Sequence, residues 1–198
     1  MDLAVSPGEL SDYAGELIHS RQNVSPRRLV DPGPTPAQLQ DMLAAAAAAP
    51  DHGQLMPWRF VIVPRNRREQ LAEVFGLALL DRDPLASPEQ IAKAQEKAHR
   101  APLLMLVVAR LGPCEPSISV NERMVSVGCA VQNILLTAHS QSFGSGLTSG
   151  QALQSPRLRA LFGLTQGEEA VCFINVGTVT RHRMPRLRPE PSSFVSSL

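Results

Sequence analysis

AAAAAAPDHGQLMPWRFVIV, running from Ala44 to Val63, is where the chain changes character. An alanine-rich helix end stops at Pro50, because proline has no amide donor for the helix ladder and pushes its predecessor out of the α region. A polar loop, Asp51-His52-Gly53-Gln54, follows, and Pro57-Trp58-Arg59 then leads into the apolar run Phe60-Val61-Ile62-Val63. One His, one amide and the only Trp therefore arrive in one small region. A helix-to-strand connection carrying those groups is a ligand-site candidate. A surface turn with a half-buried Trp accounts for the same residues, so the stretch leaves its chemistry open.

Outward from this unit, helices and short strands alternate. Ser6-Pro7-Gly8-Glu9 and Thr35-Pro36-Ala37-Gln38 each combine an N-cap hydroxyl, a first-turn proline and a capping-box partner. Behind the first, Leu10, Tyr13, Ala14, Leu17 and Ile18 share one helical face up to about Ser20. Behind the second, Leu39, Met42, Leu43 and Ala46 form the stripe of a helix ending near Ala49. Asn66 with Glu69 predicts the cap of a third helix, with Leu71, Val74, Phe75 and Ala78 inward. Ser87-Pro88-Glu89-Gln90 opens a fourth, more polar helix that runs to about His99.

Pro102 precedes Leu103 to Ala109, an apolar run of strand length. Such a run belongs inside a sheet covered on both faces. A Pro-rich loop from Leu111 to Ile118 carries Cys114, and the longest helix follows from about Val120 to Ser140. That helix is apolar at Met124, Val127, Val131, Ile134, Leu135 and Ala138 and small at Ser126, Gly128, Cys129 and Ala130. A helix nonpolar nearly all round is central in its domain or buried in an interface. Phe143 to Gly150 is Gly-rich, but it follows a helix and has the wrong spacing for a dinucleotide fingerprint. Its glycines still suit close backbone approach to a flat ligand. Ser155-Pro156 starts a short helix closed by Gly163, and Ala170 to Val176 is a last apolar strand.

Composition excludes several classes. Of 198 residues, 43% are hydrophobic and 19% charged, which suits one packed domain over 1–198 and not a disordered chain. A net charge of +1 gives no drive toward nucleic acid or membrane, and no run approaches a membrane span. Cys114, Cys129 and Cys172 are odd in number and widely spaced, so neither a disulfide framework nor a metal site is expected. With no signal peptide evident, the expected compartment is cytoplasmic. No Ser elbow or zincin histidine pair is present, and His19, His99 and His139 read as helix-surface residues. Arg21, Arg27 and Arg28 after the first helix, and Arg181, Arg183, Arg186 and Arg188 in the tail, read as solvated arms or as anion contacts.

Taken together, these motifs resemble the nitroreductase family, in its short form, over nearly the whole chain from about Leu17. The resemblance is carried by the Arg21 helix exit, Ala49-Pro50-Asp51-His52, Pro57-Trp58-Arg59-Phe60 and Ala101-Pro102. Gly128-Cys129-Ala130-Val131, the late Gly-rich strand, Gly177-Thr178 and Pro189-Glu190-Pro191 with Phe194-Val195 complete it. It implies an α+β, three-layer fold whose central, mainly antiparallel sheet is flanked by helices. It also implies a homodimer holding FMN in a groove between subunits.

Carried over residue by residue, the flavin contacts fall on Arg21, Gln22 and Asn23, where the family has Arg-Arg-Ser. They fall also on Ala48, where it has Arg, on His52, and on Leu147, Thr148 and Ser149, where it has Trp-Arg-Ser. Arginines are therefore missing at Gln22, Ala48 and Thr148. Each lost charge-assisted bond costs on the order of 1.5–3 kcal/mol, unless Arg27, Arg28, Arg181 or Arg183 compensates. The activity implied is hydride transfer from NADH or NADPH through FMN to a nitroaromatic or quinone, in ping-pong order. The cofactor would carry the chemistry, and no catalytic side chain is assigned. The missing arginines equally suit a non-catalytic member of the fold that has lost tight FMN binding.

Overall fold

The computed structural model describes residues 6–112, 118–181, 184 and 187–198, so the Cys114 loop and Arg183 and Arg186 lie outside the described residues. Six α-helices are found among them: α1 Pro7–Ser20, α2 Pro36–Ala47, α3 Arg68–Arg82, α4 Pro88–Gln95, α5 Val120–Ser140 and α6 Pro156–Leu161. Five strands accompany them: β1 Leu29–Val30, β2 Trp58–Ile62, β3 Leu103–Arg110, β4 Gly144–Thr148 and β5 Glu168–Val179.

The start signals of α1, α2 and α4 close as full capping boxes. The hydroxyls of Ser6, Thr35 and Ser87 accept from the amides of Glu9, Gln38 and Gln90, whose side chains accept from the cap amides in return. A cap of this kind is worth about 1 kcal/mol. The start of α3 differs from expectation. Asn66 lies inside a 3₁₀ turn, Arg65–Arg67, and the helix begins at Arg68 with no side-chain cap. Here buried Arg68 is the polar anchor, donating to the carbonyls of Val63 and Ala98 at 2.8 Å and of Pro102 at 3.2 Å.

All the strand pairs are antiparallel. β3 lies between β2 and β5, and β5 also pairs with β4 and β1. Period-two alternation splits β3 between two cores. Leu103, Met105, Val107 and Ala109 pack with Met42 of α2 and Val127, Val131 and Ile134 of α5. Leu104, Leu106 and Val108 pack with Leu71 and Phe75 of α3 and Leu158 of α6. The result is three layers, with helices on both faces of the sheet. One extra residue, Val171, is inserted opposite Val107 and Val108 as a β-bulge, so Val171 and Cys172 both face the α5 side.

The Gly-rich segment is strand β4, and its glycines mark contact between backbones. A Cβ on Gly146 would lie 2.3 Å from the Val24 carbonyl oxygen, and one on Gly144 2.3 Å from a Val179 methyl. α5 is buried along Val127, Ala130, Val131, Ile134 and Ala138, while Val120, Met124 and Val125 face outward. No residue of α1 is buried, and its Leu10, Tyr13 and Ile18 are exposed. Among the described residues no helix is long and apolar enough to cross a membrane.

Candidate functional site

Arg21 ends α1 in an extended conformation. The segment behind it runs beside β4, with the Val24 amide donating to the Ser145 carbonyl at 2.8 Å. The Asn23 side-chain oxygen accepts from the Leu147 amide at 3.3 Å. Arg188 comes back from the tail and donates to the Arg21 carbonyl at 2.8 Å. Among the described residues no carboxylate pairs with either guanidinium. Burial, and then the Arg188 charge, lowers the Arg21 pKa. On the other side, Ser20 Oγ lies 2.6 Å from the Glu16 carbonyl and 2.7 Å from His139 Nε2. The hydroxyl has one hydrogen, which the carbonyl takes, so the imidazole is the donor in the second bond. Burial and the Arg21 charge lower the His139 pKa. Arg21 and Arg188 together leave a local positive charge, which favours anions nearby.

From β4 onward the chain borders a cavity of about 520 Å³. Thr148, Ser149 and Gly150 form one wall, and Phe75, Leu79, Leu104 and Phe173 form an apolar floor. Buried Asn175 holds the wall by donating to Thr148 Oγ1 at 3.0 Å and to the Gly146 carbonyl at 3.3 Å. Arg82, Lys93, Lys97 and Arg100 stand around the mouth. Arg100 is paired with Glu96, whereas the other three have no carboxylate partner among the described residues. Sequence reasoning passed over this cationic mouth. Its signal was the spacing of Gln90, Lys93 and Lys97, which puts all three on one helical face.

The remaining candidates lie elsewhere. Ala48 is the exposed C-cap of α2, and His52 sits in a 3₁₀ turn, His52–Gln54, with its side chain 71% exposed. His52 Nδ1 is 2.8 Å from Glu122 Oε2 in the first turn of α5, and this contact chiefly lowers the Glu122 pKa. Ser20 and Arg21, in contrast, meet α5 at His139, near its other end. At 1.5 Å per residue, Glu122 and His139 are about 25 Å apart along the helix. The structure thus puts Thr148 and Ser149 on the cavity wall, while Arg21, the half-buried Gln22, Asn23 and Leu147 belong to the neighbouring β4 contact and are not among the cavity's lining residues. It leaves Ala48 and His52 apart from them within the chain. Of the arginines expected to compensate, Arg28 donates to the Arg181 carbonyl; Arg188, which was not among them, is the one that reaches Arg21.

Residues 20–178 match the family model described as the nitroreductase family. The chain belongs to the nitroreductase family. A curated relative from Escherichia coli (strain K12), YdjA, whose name assigns it provisionally to the NAD(P)H nitroreductases, is 34% identical over 91% of this chain and 97% of its own. A nitroreductase-like family protein from Bacillus cereus superposes with a TM-score of 0.78 at 19% identity, covering 100% of this chain and 98% of that one. A nitroreductase with bound FMN from Desulfitobacterium hafniense DCB-2 does so with a TM-score of 0.65 at 20% identity, covering 92% and 96%. At those identities the two structures establish the nitroreductase fold, which the layers and sheet order of this family member share.

Proposed function

We propose that this nitroreductase-family protein is a homodimeric, FMN-dependent NAD(P)H oxidoreductase that reduces nitroaromatic or quinone-like acceptors in ping-pong order. The observation that carries the reading is the Arg21–Arg188 pair, without a carboxylate partner among the described residues, on the segment that runs beside β4, the strand whose far end walls the cavity. That set suits a flat ligand ending in a phosphate: two guanidiniums for the anion and the β4 backbone as a wall for the rings, which leaves the apolar floor of the cavity to a substrate. The name of the Escherichia coli relative and the FMN in the Desulfitobacterium structure support the same choice.

FMN, when bound, supplies hydride acceptance and donation. The chain binds and orients. Arg21 and Arg188 would hold the phosphate, the β4 backbone would face the rings, and α3 and α4 border the apolar floor of the cavity. One cavity serving donor and acceptor in turn makes their binding mutually exclusive, which is the basis of ping-pong order.

The dimer follows from the divided site. A twofold axis across α5 carries the Arg21 end of one chain to the His52 end of its partner and so joins the two halves. The surface left for that contact is apolar. Leu10, Tyr13 and Ile18 of α1, Val125 of α5, and Phe194 and Val195 of the tail are all more than half exposed.

Colour tests the proposal. Purified protein is expected to be yellow or to become so with FMN, to bleach with NADPH or NADH, and to recover with a nitroaromatic or quinone. Colourless protein that ignores added FMN would overturn it in favour of a non-catalytic binding role.

A further inference from the structure

We infer that the cavity prefers planar substrates bearing an acidic group, a carboxylate, sulfonate or phosphate, over neutral molecules of the same shape, and that Arg82, Lys93 and Lys97 impose this preference. The inference rests on the proposed function for what happens to the substrate, but not for its binding.

The charge at the mouth is local, since the whole chain is only +1. It is also uncancelled. Lys93 and Lys97, one turn apart, border the same cavity as Arg82 from the end of α3. The acids nearest in sequence are engaged elsewhere. Asp81 accepts from Arg157 Nε and Nη2, at 2.6 and 2.9 Å, and Glu96 is held by Arg100. Asp83 accepts from the Leu85 amide, and neither it nor Glu89 lines the cavity.

Below the cations, Phe75, Leu79, Leu104 and Phe173 give an apolar floor suited to an aromatic ring. A ring seated there brings an attached acid toward the mouth. There the low-dielectric floor strengthens the attraction, and the gathered positive charge raises the arrival rate of anions. A neutral ring gains the floor alone. Two kinds of molecule offer the acidic group, an acid-bearing aromatic acceptor and the phosphate-bearing nucleotide donor.

The test compares benzoate with benzamide, nearly identical in shape and differing in charge, by titration calorimetry on the protein as purified. At low salt benzoate is expected to bind about tenfold more tightly, and the ratio should shrink toward one in high salt. In Arg82→Gln/Lys93→Gln/Lys97→Gln the ratio should approach one at low salt too, while Lys93→Arg/Lys97→Arg should keep it. Titrations of NADP⁺ and NAD⁺ against the same variants separate the sources. A parallel loss of NADP⁺ preference assigns the cations to the donor as well, and its absence confines them to the acceptor.

Equal binding of benzoate and benzamide by the unaltered protein would overturn the inference. So would a ratio that the triple substitution leaves in place. Flavin absorbance read on the same samples keeps the two proposals apart. A colourless protein that prefers benzoate contradicts the flavin function alone, and a yellow one without preference contradicts this inference alone.

Discussion

Arg21→Ala separates binding from folding at the proposed phosphate contact. The Arg21 side chain makes no hydrogen bond or ion pair among the described residues, and its charge is opposed by burial and by Arg188. Removing it deletes no native contact of that kind and relieves a like-charge repulsion, so flavin-free protein should melt at the same temperature or slightly higher. Flavin binding should suffer. One charge-assisted contact to a phosphate is worth about 1.5–3 kcal/mol, and each 1.4 kcal/mol is tenfold in affinity. With Arg188 still in place, FMN affinity should fall about ten- to a hundredfold.

Two controls sharpen this prediction. Riboflavin, which has no phosphate, should bind Arg21→Ala and the unaltered protein alike. Arg28→Ala should cost FMN much less, because Arg28 is occupied with the Arg181 carbonyl, 2.8 Å away. The assay is titration by flavin fluorescence quenching, beside thermal melts of flavin-free protein. Unchanged FMN affinity in folded Arg21→Ala, or an equal loss for riboflavin, would refute the phosphate assignment.

Three further outcomes are expected. Glu168 accepts from Arg59 at 2.7 and 2.9 Å and from the Thr165 amide at 3.0 Å, which holds its pKa at about 2 against an ordinary 4.5. A depressed carboxylate stabilises the fold above its unfolded pKa and loses that contribution as pH falls toward the folded one. Glu168→Gln should therefore cost about 2–3 kcal/mol at pH 7 in denaturant unfolding, with the gap closing between pH 4.5 and 2; a gap constant across that window would show the pair to be idle. Gly146→Ala should lower stability by about 1–3 kcal/mol, since its Cβ would meet the Val24 carbonyl at 2.3 Å; an unchanged melting temperature would mean that β4 and the Arg21 segment part easily. Val125→Glu puts a charge on the outward face of α5, where Val125 is 65% exposed, and should give monomers by sedimentation that no longer retain flavin; a flavin-loaded dimer would contradict the proposed interface.

The elements with strong local physics were legible in the sequence. Capping boxes at Ser6, Thr35 and Ser87 marked three helix starts, and a 21-residue apolar pattern bounded α5 at Val120 and Ser140. β1 escaped because two residues, Leu29 and Val30, carry no period. β4 was legible only through the family resemblance, which supplies a late Gly-rich strand, because glycine by itself reads as a loop until the neighbouring backbone that excludes a side chain is seen. Asn66 misled because its capping chemistry falls inside a 3₁₀ turn and Arg68 satisfies nearby carbonyls instead.

At the site, Arg21 and Thr148-Ser149 were singled out by motif; the structure puts Thr148 and Ser149 on the cavity wall and Arg21 on the segment beside β4, outside that wall. The approach of Arg188 was not legible, since 167 positions separate it from Arg21 and only the returning tail brings them close. Nor could the sequence reveal that Arg21 and His52 lie toward opposite ends of α5. Linear order says nothing about which end of a later helix each earlier segment meets.

That separation makes mass and colour, read together, the decisive quantities. Size-exclusion chromatography with light scattering and simultaneous flavin absorbance measures both on one peak. The expected result is a species of twice the 21.4 kDa chain mass carrying one flavin per chain, whose absorbance bleaches when NADPH is added. Flavin held by a species of single-chain mass, or a dimer that takes up no FMN, would contradict a site assembled from two chains.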